Sequence, residues 1–165
     1  MTWKKFLPDY KINILDFEMA RRYIGDTLFS KIICKNLSIM VQSDAIRVAI
    51  LNKYGGIWID ADTIILNDKI IKQIENYQLG MIWEEKINFH HIALIHASKK
   101  SIILKEWQKK IILKVKKCKQ TISNIGININ NSTNSELKKM YLYDYLGNSI
   151  VDDIIYNKDQ KYSSI

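Results

Sequence analysis

The chain has 165 residues, of which 47% are hydrophobic, and it carries a formal net charge of +8. With only one Pro and six Gly, it has the size and composition of a single globular α/β domain, residues 1–165, that can bury a core. No apolar run approaches the ~20 residues of a membrane span, and the opening MTWKKFLPDYK lacks the apolar region of a signal peptide. These absences predict a soluble, cytoplasmic protein.

Residues 1–42 predict a short strand followed by helical segments. Residues 11–15 alternate as a strand, Asp16 to Ile24 can form a short helix, and residues 26–40 form a helix or a connecting segment. Cys34 and Cys118 are interpreted as buried apolar thiols rather than as a disulfide or a metal pair, because nothing indicates an oxidising compartment.

Residues 43–56 predict a helix with a defined start and stop. Ser43 is an expected N-cap, and Asp44 suits the positive end of the helix dipole. Asp44 and Arg47 are three residues apart, so they share a face and can both be aimed at one small polar ligand. Gly55 fits a left-handed C-cap, and Gly56 provides a second permissive position where the chain turns.

The next residues predict a strand that ends in two carboxylates. Trp58, Asp60 and Asp62 point to one face if the period of two persists through Ala61. Two neighbouring aspartates repel each other unless a cation lies beside them, and Mg²⁺ or Mn²⁺ is the expected guest. Such ions take one or two carboxylates and leave their other positions to water and phosphates. The strand end is therefore predicted to hold a metal that bridges a diphosphate.

The compound pattern carries a family resemblance. Its parts, in chain order, are Ser43-Asp44, Arg47, Tyr54-Gly55-Gly56 and Asp60-Ala61-Asp62. This order resembles DXD-containing glycosyltransferases of the capsular polysaccharide synthesis type, which are related to the sugar-binding region of the large clostridial toxins. The resemblance implies that Asp60 and Asp62 hold the metal and the nucleotide-sugar diphosphate, and that Asp44 and Arg47 contact the donor sugar. Trp58 stands where that family has an aromatic or apolar strand residue, and core packing is its alternative role.

The resemblance also implies a GT-A-like (Rossmann-like) α/β domain that binds a nucleotide sugar and ends in C-terminal helices. Its expected parts are a partial nucleotide-binding half over residues 1–42, the motif core over 43–97 and a helical part over 98–165. The resembling enzymes have a first strand and helix that hold the base, and Met1 here leaves no room for them. We therefore expect either an N-terminally shortened chain or a base that is held by less than the usual surface.

Residues 67–97 predict a turn, a helix and a strand. The helix covers residues 68–77 and the strand residues 79–83. All three histidines, His90, His91 and His96, follow in an apolar setting. Their spacing, with no evident third partner, favours surface and core histidines over a metal site.

Residues 98–120 predict a basic amphipathic helix with nine lysines. The lysines are Lys99, Lys100, Lys105, Lys109, Lys110, Lys114, Lys116, Lys117 and Lys119. One interpretation is a solvated lysine face. The other is attraction to anionic lipid, at ~1 kcal/mol per lysine, which would suit a lipid-linked acceptor at the inner face of the membrane. Nucleic acid is disfavoured, because no aromatic residues interleave as a stacking platform requires.

The C-terminal part predicts an asparagine-rich loop over residues 121–135 and then helices interrupted near Gly147-Asn148. Asp144, Asp152 and Asp153 on these helices are interpreted as exposed charges, with metal or acceptor contact as the alternative.

The overall prediction is a metal-dependent glycosyltransferase that moves a sugar from a nucleotide-diphosphate donor to a surface polysaccharide or a lipid-linked glycan. The alternative is a catalytically inactive fragment that binds a sugar nucleotide or a glycan. No residue is identified as nucleophile or base.

Overall fold

The computed structural model describes residues 2–87, 89–99, 101–125 and 145–156. The helices, in chain order, are α1 (Thr2–Phe6), α2 (Phe17–Ile24), α3 (Asp26–Ile32), α4 (Ile39–Tyr54), α5 (Lys69–Ile74), α6 (Ile102–Ile125) and α7 (Asn148–Tyr156). The strands are β1 (Gly56–Ile59), β2 (Leu79–Glu84) and β3 (Phe89–Ala97), with a short 3-10 turn at Glu85–Ile87 between β2 and β3.

The three strands form one antiparallel sheet in the order β1-β3-β2. Central strand β3 pairs Ala97 with Gly56 of β1 and, at its other end, His90 with Trp83 of β2. An irregularity between Met81 and Ile82 shifts the β2–β3 register. The predicted mixed α/β class is confirmed. The described sheet has no parallel strand pair, so it does not by itself show a Rossmann-like GT-A arrangement, which stays a prediction.

Each face of the sheet covers a separate apolar core. The larger core packs α2, α3, α4, α6 and α7 on one face and includes the fully buried Trp107, Ile95 and Ile154. The smaller core lies on the other face, where Ile57 and Ile59 of β1 pack with residues of α1 and α5. Alternation along β1 thus turns Trp58 toward the larger core, as the period of two predicts.

The start of α4 differs from the prediction. Ser38, not Ser43, is the N-cap, since its hydroxyl accepts a hydrogen bond of 3.4 Å from the Val41 amide. The Gln42 side chain also donates to the Leu37 carbonyl at 2.7 Å and holds this earlier turn in place. Ser43 therefore lies inside the helix, and Asp44 lies in its second turn rather than against its positive end.

Other local predictions have mixed outcomes. Residues 11–15, predicted as a strand, have no regular secondary structure because no neighbouring strand pairs with them. The predicted helix after Asp16 is confirmed as α2, with the Asp16 carboxylate accepting from the Met19 amide at 2.7 Å. The basic helix is confirmed as α6, which continues to Ile125 into the predicted loop. The remainder of that loop, Lys100 and Asp144 lie outside the described residues.

The two cysteines are buried and not disulfide-bonded, as predicted. Their Sγ atoms lie 3.6 Å apart, which joins the end of α3 to α6. The hydrogen bond between the two thiols lowers the pKa of Cys34, while the same contact and burial raise the pKa of Cys118.

Candidate functional site

The centre of the candidate site is a buried ion pair on α4. Asp44 and Arg47 lie on one face of the helix, three residues apart, and Arg47 Nη2 is 3.0 Å from Asp44 Oδ1. Both side chains are buried. Desolvation of the two charges is costly, and each further donor or acceptor that finds a partner offsets part of that cost.

The two Nη atoms of Arg47 find such partners on the sheet, whereas its buried Nε has no hydrogen-bond partner. Its Nη1 donates to the Ile92 carbonyl of β3, and its Nη2 lies 3.2 Å from Asp60 Oδ1 and 3.3 Å from Asp60 Oδ2. The guanidinium also lies 5.7 Å from the centre of the Trp58 ring. One arginine therefore joins α4 to the end of β1 and to the middle of β3.

The double glycine brings Asp60 to this arginine. Gly55 ends α4 with φ 72°, its amide donating to the Leu51 carbonyl at 2.7 Å, and Gly56 has φ 94°. These positive φ values confirm the predicted glycine roles, because they favour glycine and let the chain reverse directly into β1. Asp60 follows β1, and its amide donates to the Ala93 carbonyl of β3 at 2.8 Å.

Asp60 and Asp62 have different surroundings. Trp58 Nε1 donates to Asp60 Oδ1 at 2.6 Å, so these two side chains share a face as predicted, and Trp58 does more than pack against the core. The alternation ends there, since the chain turns and the Thr63 amide donates to the Asp60 carbonyl at 3.0 Å. Asp62 is exposed in this turn and does not continue the strand face.

The Arg47 guanidinium pairs with Asp60, so the fold itself supplies a cation for one of the two carboxylates. Within residues 2–87, 89–99, 101–125 and 145–156, no group of three or more His, Cys, Asp and Glu side chains could hold a metal ion. Two carboxylates nevertheless fit Mg²⁺ or Mn²⁺, which complete their coordination with water and phosphate oxygens. Asp60 and Asp62 are the residues that would hold such an ion.

The start of α7 closes the other side of the ion pair. A Cβ atom on Gly147 would lie 2.6 Å from Asp44 Oδ2 and 2.6 Å from Ile92 Cδ1, so a larger residue would require these side chains to shift. The neighbouring Asn148 side chain is buried and donates to the His90 carbonyl of β3. Sequence reasoning treated Gly147-Asn148 only as a helix interruption and missed its contact with the site.

Central strand β3 also carries His90, whose Nδ1 lies 2.6 Å from Asp152 Oδ1 of α7. Asp153 pairs instead with Lys110 of α6. Asp152 and Asp153 are thus partly exposed helix charges, with side chains 30% and 44% exposed, and each also has a partner on a neighbouring element.

The family model described as "Capsular polysaccharide synthesis protein" matches residues 1–163, nearly the whole chain. The chain belongs to this family. As a member of the capsular polysaccharide synthesis family, it has a role in polysaccharide biosynthesis, which confirms the family part of the resemblance. No curated protein and no solved structure gives a match.

Among the helices in the described ranges, none combines the length and the apolar composition needed to cross a membrane.

Proposed function

We propose that this chain is a metal-dependent glycosyltransferase, which transfers a sugar from a nucleotide-diphosphate donor to a surface polysaccharide or a lipid-linked glycan. The observation that carries the proposal is Arg47, which holds Asp44 and Asp60 together at the end of β1 in a member of the capsular synthesis family. The exposed Asp62 follows two residues later. This arrangement supports a polar site beside an open turn.

The donor sugar is proposed to bind at Asp44 and Arg47. The planar guanidinium of Arg47 carries several hydrogen-bond donors, and the Asp44 carboxylate is an acceptor. Together they can hydrogen-bond to neighbouring sugar hydroxyls. Because both side chains are buried, the sugar would reach them from the side of Asp60, whose side chain is 24% exposed. A pair already fixed by the fold loses little freedom when the sugar binds.

Asp60 and Asp62 are proposed to hold the metal. When bound, Mg²⁺ or Mn²⁺ would neutralise charge on the leaving diphosphate. The contribution of the chain itself is orientation: Trp58 Nε1 and Arg47 fix the Asp60 carboxylate, while Asp62 stands exposed in the turn. Arg47 thus acts both on the sugar side and on the diphosphate side of the site.

Titration calorimetry with UDP and GDP, in Mn²⁺ and in EDTA, tests the metal. We expect tighter binding of at least one diphosphate with Mn²⁺, and loss of this gain in Asp62→Asn, whose exposed side chain leaves the fold intact. Equal affinity with and without metal contradicts the metal-bridged site. Mn²⁺-dependent binding of a nucleotide sugar without any release of its diphosphate, across an acceptor panel, would support the non-catalytic binding fragment instead.

A second comparison tests the sugar contact. Asp44→Asn keeps the size of the side chain but removes its charge, so we expect weaker binding of UDP-sugars and little change for free UDP. Equal losses for the two ligands would mean that Asp44 has only a structural role. Circular dichroism of the variant establishes that the helix content is retained.

We also propose a peripheral contact of α6 with the anionic inner face of the membrane, where a lipid-linked acceptor would lie. The residues exposed along one stripe of the helix, spaced three or four apart, are Ile102, Lys105, Lys109, Leu113 and Lys116. Lysine ammonium groups are attracted to anionic lipid, and the exposed Ile102 and Leu113 add apolar contact at the same surface.

A further inference from the structure

Beside the ion pair, three rings form a cluster at the edge where β2 meets the start of β3. The Trp83 ring centre lies 4.6 Å from that of His90, and the Tyr156 ring lies 6.2 Å from Trp83 and 6.1 Å from His90. Trp83 is 39% exposed and Tyr156 is 45% exposed. The cluster therefore keeps a large part of its aromatic surface in contact with solvent.

The fold fixes the orientation of His90 within the cluster. Its Nδ1 lies 2.6 Å from Asp152 Oδ1, and an ionised carboxylate only accepts hydrogen bonds, so Nδ1 carries the proton and donates. In the neutral ring, Nε2 is then the atom that accepts. The histidine side chain is 14% exposed, which leaves it partly open at the surface of the cluster.

The cluster adjoins the ion pair through the start of α7. Asn148 donates to the His90 carbonyl, and Gly147, the preceding residue, packs directly against Asp44. Trp83 pairs with His90 across the sheet, and Ile92, two residues along β3, accepts from Arg47. A ligand bound on the rings would therefore lie next to a sugar held at Asp44 and Arg47.

The chemistry of the cluster fits a neutral sugar ring. A pyranose presents apolar C–H faces, which gain dispersion contacts on an aromatic ring, and a rim of hydroxyls, which need donors and acceptors such as His90 and Asp152. A diphosphate does not fit as well, because the Asp152 carboxylate would repel it. The cluster therefore suits the acceptor rather than the nucleotide part of the donor.

We propose that Trp83, His90 and Tyr156 form a subsite for a neutral sugar ring of the acceptor glycan. The identity of this sugar as the acceptor rests on the proposed transferase function, whereas binding of a sugar at the rings does not. Asp152 acts as a positioning residue that holds His90 with Nε2 available to a hydroxyl.

The test is saturation-transfer NMR with a panel of neutral hexose and N-acetylhexosamine oligosaccharides, with affinities from titration. We expect at least one oligosaccharide to bind, and Trp83→Leu and Tyr156→Leu each to weaken it by about tenfold, the range of one aromatic contact. Tyr77→Leu is the matched control, since Tyr77 is exposed elsewhere and should leave the affinity unchanged.

Asp152→Asn provides a readout that simple packing would not give. The amide can present either a donor or an acceptor to Nδ1, so the His90 tautomer is no longer fixed. We expect weaker oligosaccharide binding and a change in the ¹⁵N shifts of the His90 ring, with the UDP affinity unaltered. Unchanged tautomer and affinity in this variant would remove Asp152 from the proposal.

Failure of the subsite and failure of the proposed function give different results. If no oligosaccharide binds the wild type, or if Trp83→Leu and Tyr156→Leu both bind as the wild type does, the subsite is wrong, whatever UDP does. If oligosaccharides bind at the rings while neither UDP nor GDP binds, the subsite stands as a glycan site and the transferase function is wrong.

Discussion

Arg47 Nη2 lies 3.2 Å from Asp60 Oδ1, so a guanidinium from α4 neutralises the first carboxylate after β1. The same nitrogen lies 3.0 Å from Asp44 Oδ1. Two negative charges, one buried and one partly exposed, thus depend on one positive charge. The stability of the fold and the geometry of the site are coupled through this side chain.

Removal of that side chain should be strongly destabilising. We expect Arg47→Ala to lower the free energy of unfolding by about 3–5 kcal/mol, because the buried Asp44 carboxylate loses its ion pair with the guanidinium. Urea denaturation followed by circular dichroism measures the loss. Asp62→Asn is the control, with an expected change within about 0.5 kcal/mol, as is usual for an exposed position. Similar values for the two variants would show that the ion pair adds no net stability.

The double glycine offers a matched pair of substitutions. Gly55→Ala and Gly56→Ala both place a side chain at positive φ, at a cost of about 1–2 kcal/mol. At Gly55 the added Cβ would also lie 2.8 Å from the Lys99 amide nitrogen, whereas at Gly56 nothing lies within 4 Å. We expect Gly55→Ala to be the more destabilising by about 1–3 kcal/mol in urea denaturation. Equal losses would mean that the Lys99 backbone moves aside at no cost.

Tyr10 should make the stability depend on alkaline pH. Burial and the 2.7 Å hydrogen bond to Glu75 raise the pKa of the Tyr10 phenol from 10.0 to about 12. Because the folded state favours the protonated phenol, its stabilising contribution is complete below pH 10 and is lost as the pH rises toward 12. We expect the wild type to lose stability relative to Tyr10→Phe across this interval. Parallel urea midpoints for the two proteins would contradict the raised pKa.

The exposed stripe of α6 should determine binding to anionic vesicles. We expect substitution of Lys105, Lys109 and Lys116 by Gln to abolish most vesicle binding, and added salt to weaken the wild type as the screening length falls below ~10 Å. Lys110 is left in place because it pairs with Asp153.

The control removes the same charge from another surface. Its substitutions to Gln are at three exposed lysines, Lys4, Lys5 and Lys11. Sedimentation with vesicles of increasing phosphatidylglycerol content should separate the two variants. Equal binding by the two variants would mean that net charge alone causes the attraction. Binding that does not depend on the phosphatidylglycerol content would contradict the proposed membrane contact.

Much of the site's local framework could be predicted from the sequence. The end of α4 at Gly55, the strand after it and the shared face of Trp58 and Asp60 follow from backbone preferences and the period of two, which act over a few residues. The basic helix α6 was equally evident, because its apolar stripe repeats over many turns. The family also followed from these local features in their order.

The start of α4 could not be predicted in the same way. Ile39 and Met40 are apolar but largely exposed, so they do not continue the buried face by which the helix was recognised. The predicted cap at Ser43 therefore lies five residues late, and the contact of Gln42 with the Leu37 carbonyl supports the cap at Ser38. Exposed apolar residues removed the signal that normally marks a helix boundary.

Contacts between segments that are distant in the chain also could not be predicted from the sequence. The central position of β3 depends on how the strands pair, and the link from Asn148 to His90 depends on where α7 packs. Residues 11–15 are a second example. Their alternation predicts a strand, but a strand also needs a neighbouring strand to pair with, and alternation does not indicate whether one is present. Periodicity describes one segment and carries no information on its neighbours.

The contact of Gly147 with Asp44 bears on the order of events during synthesis. A chain emerging from the ribosome presents α4, β1 and their carboxylates long before α7 is available to cover them. Until α7 docks, the Asp44–Arg47 pair lies open to water, and the contacts that fix it have a large separation along the chain, which makes them slow to form. We therefore expect the surroundings of Asp44 to be completed only when α7 docks, and to be incomplete in a nascent chain that lacks this helix.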